Sequence, residues 1–167
     1  MNREELSEKI LKSYEGFFDI NVPSEEGRSL GLIARCDFHM KNSKYVLVKK
    51  AKLWEADCHE YIFVFSVDEL NEEGFDRCRE YVLKEGEKLI DPKPGHMYTY
   101  LTAVFVCDDF TKGAKKLLKK SKHYKSYKFS LLGWSEFRTF AVRAGDGELF
   151  FNRAAKQCSK FVKELGK

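Results

Sequence analysis

No apolar run in this chain approaches the ~20 residues that a helix needs to span a bilayer, and the sequence predicts no membrane span. The N-terminus, MNREELSEKI, is charged and helical in pattern. It lacks the apolar stretch and small-residue cleavage site of a signal peptide, which makes the cytosol the expected location. Proline is scarce, with three in 167 residues. The Pro/Gly signals at 21–24 and 91–95 punctuate neighbouring elements instead of forming linkers. No repeat or low-complexity stretch divides the chain. One domain over residues 1–167 is therefore expected, long enough to bury most of a single core.

Paired cysteines are missing as well. Cys36, Cys58, Cys78, Cys107 and Cys158 are odd in number, widely spaced and without a CxxC pair. All but Cys58 sit among apolar residues at strand or helix spacing. Reduced cysteines acting as small core hydrophobes are expected, ahead of a redox or metal role. GxGxxG, Walker A, GxSxG and HExxH motifs are absent. Gly145-Asp146-Gly147 lies in a turn and not at a helix N-terminus, so it does not form a phosphate cradle. Cofactor-dependent and acyl-transfer chemistry lose their usual support, and no cofactor is expected.

Residues 55–60, Glu-Ala-Asp-Cys-His-Glu, crowd five metal-capable side chains into six positions. Zinc needs three or four converging ligands, yet neighbours on an extended strand point to opposite faces, and no second cluster completes a site. A charged hairpin turn is the expectation here, and no metal. His39, His59, His96 and His123 lack metal-motif companions. His96, opening a buried strand after a Pro-Gly turn, and His123, in the basic segment, are candidate general bases, and either would need a partner acid. The bland reading of each is a hydrogen-bonded surface or boundary histidine.

Carboxylates are absent between Thr111 and Ser135. Lys112, Lys115, Lys116, Lys119, Lys120, Lys122, Lys125 and Lys128 all fall there. The wider balance is also lopsided: residues 1–83 carry 12 basic and 17 acidic side chains, and residues 84–167 carry 18 and 9. One-sided density of this kind attracts anions, whether nucleic acid, a membrane surface or an acidic partner. Tyr124, Tyr127, Phe129 and Trp134 interleave with the lysines and offer rings for base stacking. Against this, the stretch has no arginine to grip phosphate bidentately, and the aromatics alternate as strand core positions do. A lysine-rich helix face is commonly only solvated.

What is present reads as alternating elements. Leu6, Ile10, Leu11 and Tyr14 repeat at three- and four-residue steps, giving an amphipathic helix over 3–18. Residues 30–40 alternate apolar and polar as a half-buried strand. A turn at 41–43 leads to a second, antiparallel strand at 45–54. Residues 61–67 are apolar at nearly every position, the mark of a strand buried on both faces. Ser66-Val67-Asp68-Glu69 matches a capping box for the following helix, or Asp68 caps it alone, and that helix reaches about Ile90. Strand 98–107 is again apolar on both sides, so the strand–helix–strand unit should be a parallel crossover. Thr111 caps a short helix to about Ser121, strands follow at 127–132 and 136–142, and a last helix runs from about Asn152 to Leu165. The fold class is α+β: a mixed sheet of about six strands with helices on both faces. Its helix-strand-strand-strand-helix-strand core is followed by helix-strand-strand-helix.

The opening order, over roughly residues 3–107, resembles in topology restriction-endonuclease-like domains. That resemblance implies an acid on one strand and an acid-x-lysine triplet on the next, holding divalent cations and the attacking water. Asp37 and Glu60 are the nearest acids, with Lys52 the nearest lysine and His96 a further candidate. Glu60 is followed by Tyr61 and Ile62, so the triplet is incomplete, and Lys50 and Lys52 have no acid at the right offset.

A second resemblance rests on Lys50-Ala51-Lys52-Leu53-Trp54-Glu55, Glu60-Tyr61, His96-Met97, residues 123–129 (His-Tyr-Lys-Ser-Tyr-Lys-Phe) and Gly133-Trp134. These strings resemble a family of small proteins from clostridia-like bacteria built on a domain of unknown function. The likeness covers about Gly31 to Lys156. It implies a bacterial, cytosolic source and no particular activity.

Two functional expectations follow. The first is a non-catalytic binding module whose basic face takes nucleic acid or another polyanion. The second is a metal-dependent nuclease-like enzyme using Asp37, Glu60 and Lys52. A homo-oligomer built on Trp54 or Trp134 is a further expectation.

Overall fold

The computed structural model describes residues 1–45 and 52–158. Helix α1 (Arg3–Tyr14) begins where Asn2 closes a capping box: its side-chain oxygen accepts the Glu5 N–H at 2.8 Å, and the Glu5 carboxylate accepts the Asn2 N–H at 3.0 Å. Leu6, Ile10 and Tyr14 are buried, as their spacing predicts. A short strand β1 (Asp19–Asn21) and helix α2 (Glu25–Ser29) follow, in a stretch whose polar sequence reads only as punctuation.

Strands β2 (Leu32–Tyr45) and β3 (Lys52–Leu70) form one long antiparallel hairpin. This corrects three expectations. Residues 41–43 are strand and not turn: Lys41 pairs with Asp57 and Asn42 with Ala56. Of the expected strand at 45–54, Tyr45 ends β2 and residues 52–54 begin β3, which continues without a break through residues 55–60 and the expected strand at 61–67. Polarity alone does not end a strand, because a paired backbone satisfies its hydrogen bonds whatever the side chains are. Residues 46–51, between the strands, lie outside the described residues.

β3 also runs past Asp68 to Leu70, so the cap of the next helix is not Asp68. Helix α3 (Glu72–Leu89) is capped by Asn71, whose side chain accepts the Gly74 N–H at 2.8 Å. Asp68 instead pairs with Arg3. Asn71→Ala should therefore lower stability by about 1 kcal/mol in urea unfolding. Asp68→Ala should cost less, since its ion pair is largely solvated; equal losses would contradict the cap assignment.

β4 (His96–Phe110) lies parallel to β3, pairing Ile62 with Thr102 and Val64 with Val104. α4 (Lys112–Lys120), capped by Thr111, leads through β5 (Tyr124–Ser126) to β6 (Trp134–Arg143), which is parallel to β4. The strand order is β1-β2-β3-β4-β6-β5, with β7 (Leu149–Phe151) on the other part of β6's outer edge. The sheet is mixed and seven-stranded, one more than expected. β3 and β4 are its buried centre.

The strand expected at 127–132 is a turn. Lys128, Phe129 and Ser130 all have positive φ (46°, 52° and 67°), and the turn exposes Phe129 (99%) and Leu131 (80%). Apolar alternation there has no layer to bury it. Gly133, with φ +78°, closes the turn so tightly that a Cβ would sit 2.5 Å from the Met97 carbonyl oxygen.

Two apolar layers hold the sheet. On one face α3 and α4 cover Phe63, Phe65, Phe105 and Phe137; on the other α1 covers Cys36, Ile62, Val64, Val104 and Phe140. Cys36, Cys58, Cys78 and Cys107 are buried free thiols, Cys58 included. Burial pushes the Cys36, Cys78 and Cys107 thiols up to about 12, which leaves them unreactive at neutral pH. Residues Arg153–Cys158, where the last helix is expected, form a 3₁₀ helix, and the rest of that expected helix, from residue 159, lies outside the described residues. No helix among the described residues is long and apolar enough to cross a membrane.

Candidate functional site

The hairpin register decides the first question. Asp37 is opposite Tyr61, and Phe38 is opposite Glu60. Side chains alternate along a strand, so Asp37 points with Tyr61 toward α3, whereas Glu60 points with Phe38 to the α1 side. The two acids lie on opposite faces and cannot share a cation. Asp37 is instead held by Arg35 in a two-point ion pair at 2.8 and 2.9 Å. Of Lys52 only the strand backbone is described, and Lys50 lies outside the described residues. Among the described residues no three His, Cys, Asp or Glu side chains are grouped to hold a metal ion.

The face covered by α3 and α4 carries a row of histidines across three strands. His39 and His59, directly opposite each other, share a proton between their Nδ1 atoms at 2.8 Å, and the His59 ring stacks on His96 at 6.1 Å. His96 is buried and fully engaged: Nδ1 is 2.7 Å from the Leu132 carbonyl oxygen, so it donates, and Nε2 accepts from the Thr99 hydroxyl at 2.8 Å. This tautomer anchors the 127–133 turn onto β4 and leaves neither ring nitrogen free for general-base work.

Burial, then His39 and His96, hold the His59 imidazole below its ordinary pKa, while Asp57 pulls it the other way. Burial and Arg79 do the same to His123. Below about pH 6.5 the unfolded chain therefore binds protons that the folded chain resists. Stability should fall as pH drops through that value, until the native histidines also protonate. The urea midpoint followed from pH 8 to 5 should decline, and His59→Asn should flatten part of the decline. An unchanged slope would show that His59 is not the source.

The opposite face is chemically richer. Arg138 of β6 has a side chain only 9% exposed, with its guanidinium carbon 3.1 Å from the centre of the Tyr100 ring. Its NH1 is 3.9 Å from Glu60, and its Nε has no hydrogen-bond partner among the described residues. Glu60 accepts from the Thr102 hydroxyl at 3.0 Å. Burial raises the Glu60 carboxyl above the usual range, with Arg138 and Thr102 opposing that shift.

Three hollows meet around this pair. A cleft of about 850 Å³ runs between the end of α4, β6 and the 3₁₀ helix, lined by Lys119, Lys120, Lys122, Arg153 and Lys156, with Tyr100, Glu136 and Arg138 also lining it. A smaller hollow of about 220 Å³ shares Tyr100, Arg138 and Gln157 with it and extends to Phe38, Cys58 and Tyr98. An apolar pocket of about 340 Å³ lies beyond Glu60, walled by Tyr14, Phe17, Phe18 and Phe140. Asn152, buried, fixes the large cleft's two walls. Its amide donates to the Ser121 and Phe137 carbonyls and accepts from the Thr139 and Ala155 N–H groups.

The eight lysines of the basic stretch divide accordingly. Lys119, Lys120 and Lys122 line the cleft, exposed. Lys115 pairs with Glu148 and Lys125 with Glu87, so those two charges are already compensated. Lys112 opens α4, Lys116 lies at its middle, and Lys128 belongs to the positive-φ turn. Sequence reasoning missed Arg138, Arg153, Lys156, Tyr98 and Tyr100. Arg138 was findable as a cation: it is the one charged residue in the stretch 137–142 (Phe-Arg-Thr-Phe-Ala-Val), a position that needs a partner or a ligand.

A family model described as "Domain of unknown function (DUF8052)" matches residues 2–164. No curated protein and no solved structure matches the chain.

Proposed function

The chain belongs to the DUF8052 family, and we propose that it is a non-catalytic binding module of the bacterial cytosol whose basic cleft takes a polyanion. The observation that carries this reading is Arg138. A guanidinium this buried is expensive unless it is paired, and its nearest acid is at 3.9 Å with the carboxyl's proton affinity raised. Arg138 lines the cleft with its Nε buried and unpartnered among the described residues, so the guanidinium holds a positive charge at the cleft wall, and an anion entering there would meet Lys119, Lys120, Lys122, Arg153 and Lys156 around it. Phosphate-bearing chains suit such a rim, because each contact releases condensed counterions.

The test is a titration of labelled oligonucleotide and of inorganic polyphosphate against the full chain over a range of salt. The logarithm of affinity should fall linearly with the logarithm of salt concentration. Absence of binding to both at low salt would refute the reading. The nuclease alternative has lost its geometry, with Asp37 and Glu60 back to back across the sheet.

A further inference from the structure

We propose that the polyanion is a single-stranded nucleic acid whose bases lie on an aromatic ladder beside the cleft; this rests on the polyanion reading above and names its ligand. The ladder crosses three strands on the α1 side of the sheet. Tyr124 of β5 stacks with Trp134 of β6 at 5.8 Å and 29°. Trp134 stacks with Tyr98 of β4 at 5.4 Å and 26°, and Tyr98 touches Tyr100 at 4.9 Å. Arg138 ends the row by lying over Tyr100. Tyr124 is 58% exposed, and the other three rings are half-buried.

The register explains why the rings meet. Tyr98 pairs with Trp134, Tyr100 with Glu136, and Ser126 with Trp134. Every second residue of β4 and β6 thus contributes to one surface, and this end of the surface carries partly exposed rings where the α1 end carries buried core. A solvated sheet face has no need of stacked rings; four of them beside a lysine-rimmed cleft supply the two components that single strands require, π-faces for bases and cations for phosphates.

The ladder and the cleft are continuous, because Tyr100 and Arg138 line both hollows. A duplex keeps its base faces covered and so leaves the ladder unused. Polyphosphate would use the lysines alone. Glu136, opposite Tyr124 and in the same cleft, repels phosphate locally; in this placement it faces bases and directs the phosphates toward Lys119, Lys120 and Lys122.

The experiment uses the full chain in a Trp54→Phe background, which leaves Trp134 as the single tryptophan of the two in the sequence. The probes are a short oligothymidylate, the matching oligouridylate, a blunt duplex of the same length and inorganic polyphosphate. Single strands should quench Trp134 fluorescence, and polyphosphate should bind without quenching. Without the Trp54→Phe change, Trp134→Ala and Tyr98→Ala should each weaken single-strand binding about tenfold and leave polyphosphate affinity unchanged. Trp134→Phe, which keeps a ring in place, should retain most of the binding. Preference for the DNA or the RNA strand identifies the source, and either supports the proposal. If polyphosphate or the duplex binds as tightly as the single strands, with ring substitutions acting equally on all, the ladder proposal fails while the polyanion reading stands. If no probe binds, both fail.

Discussion

Replacing Lys119, Lys120 and Lys122 together by glutamate should weaken polyanion binding about a hundredfold or more at moderate salt and flatten its salt dependence. The three side chains are exposed and line one cleft, so the change is expected to act on binding and leave stability almost untouched. It also takes the formal net charge from +4 to −2, reversing the long-range attraction as well as the contacts. Each lost phosphate contact on a single strand lowers the salt slope by about 0.7, so three should lower it by about 2. The control is Lys115 with Lys125, whose charges Glu148 and Glu87 already compensate and whose reversal takes the formal net charge from +4 to 0. Reversing those two should weaken binding far less. Equal effects from both sets would mean that overall charge, and not the cleft, governs association. Circular dichroism and urea midpoints establish that each variant is folded.

Phe105→Ala should remove about 3–5 kcal/mol of stability, which is a large share of the about 5–15 kcal/mol that folded proteins of this kind possess. Phe105 is fully buried at the middle of β4, stacked on Phe65 of β3 at 5.2 Å and tilted against Phe75 of α3 at 5.7 Å. Its removal opens a cavity at the junction of two parallel strands and their crossover helix. None of these neighbours can collapse into the gap without breaking the pairing that continues to Phe110. Phe105→Leu, which keeps most of the volume, should cost clearly less. The measurement is urea unfolding with the slope compared between variants. A loss below about 1 kcal/mol from Phe105→Ala would contradict a tightly packed helix-side layer.

The centre of the fold was readable because its signal is redundant. Strands apolar on both faces, such as residues 61–67 and 98–107, have one home in a mixed sheet, and the helix between them forces a parallel crossover. Thr111 reads as a cap because nothing else at that point competes for the role, and it caps α4. The hairpin was not readable in the same way. Residues 41–43 and 55–60 are polar enough to suggest turns, and their strand character comes from pairing at a distance along the chain, 41–43 with 55–57 and 38–40 with 58–60, which a local pattern does not register. Likewise Asp68 has the chemistry of a cap, but β3 outlasts it by two residues, and Asn71 takes the role.

The site divides along the same line. Its lysines stood out because eight of them run without a carboxylate. Trp134 and Tyr124 were visible as aromatics among them. Tyr98 and Tyr100 were not, and Arg138 stood out only as an isolated cation, because only the β4–β6 register brings residues 98–100 beside 134–138. The reading of Asp37 with Glu60 failed for a related reason: two acids at compatible spacing on neighbouring strands still face apart when the register is offset by one residue.

The parallel arrangement of β3, β4 and β6 has a kinetic consequence. Parallel neighbours cannot zip from a tight turn; each pair waits for an intervening helix to form and dock, and the entropy of closing those loops is paid before any strand contact returns it. The cleft lies at the end of that sequence, since its walls come from β4, α4, β6 and the 3₁₀ helix after it. A chain halted after the β2–β3 hairpin and α3 would have neither the ladder nor the arginine. In a refolding experiment, recovery of the Trp134 signal should therefore lag behind the return of backbone structure, marking the moment at which the second crossover closes.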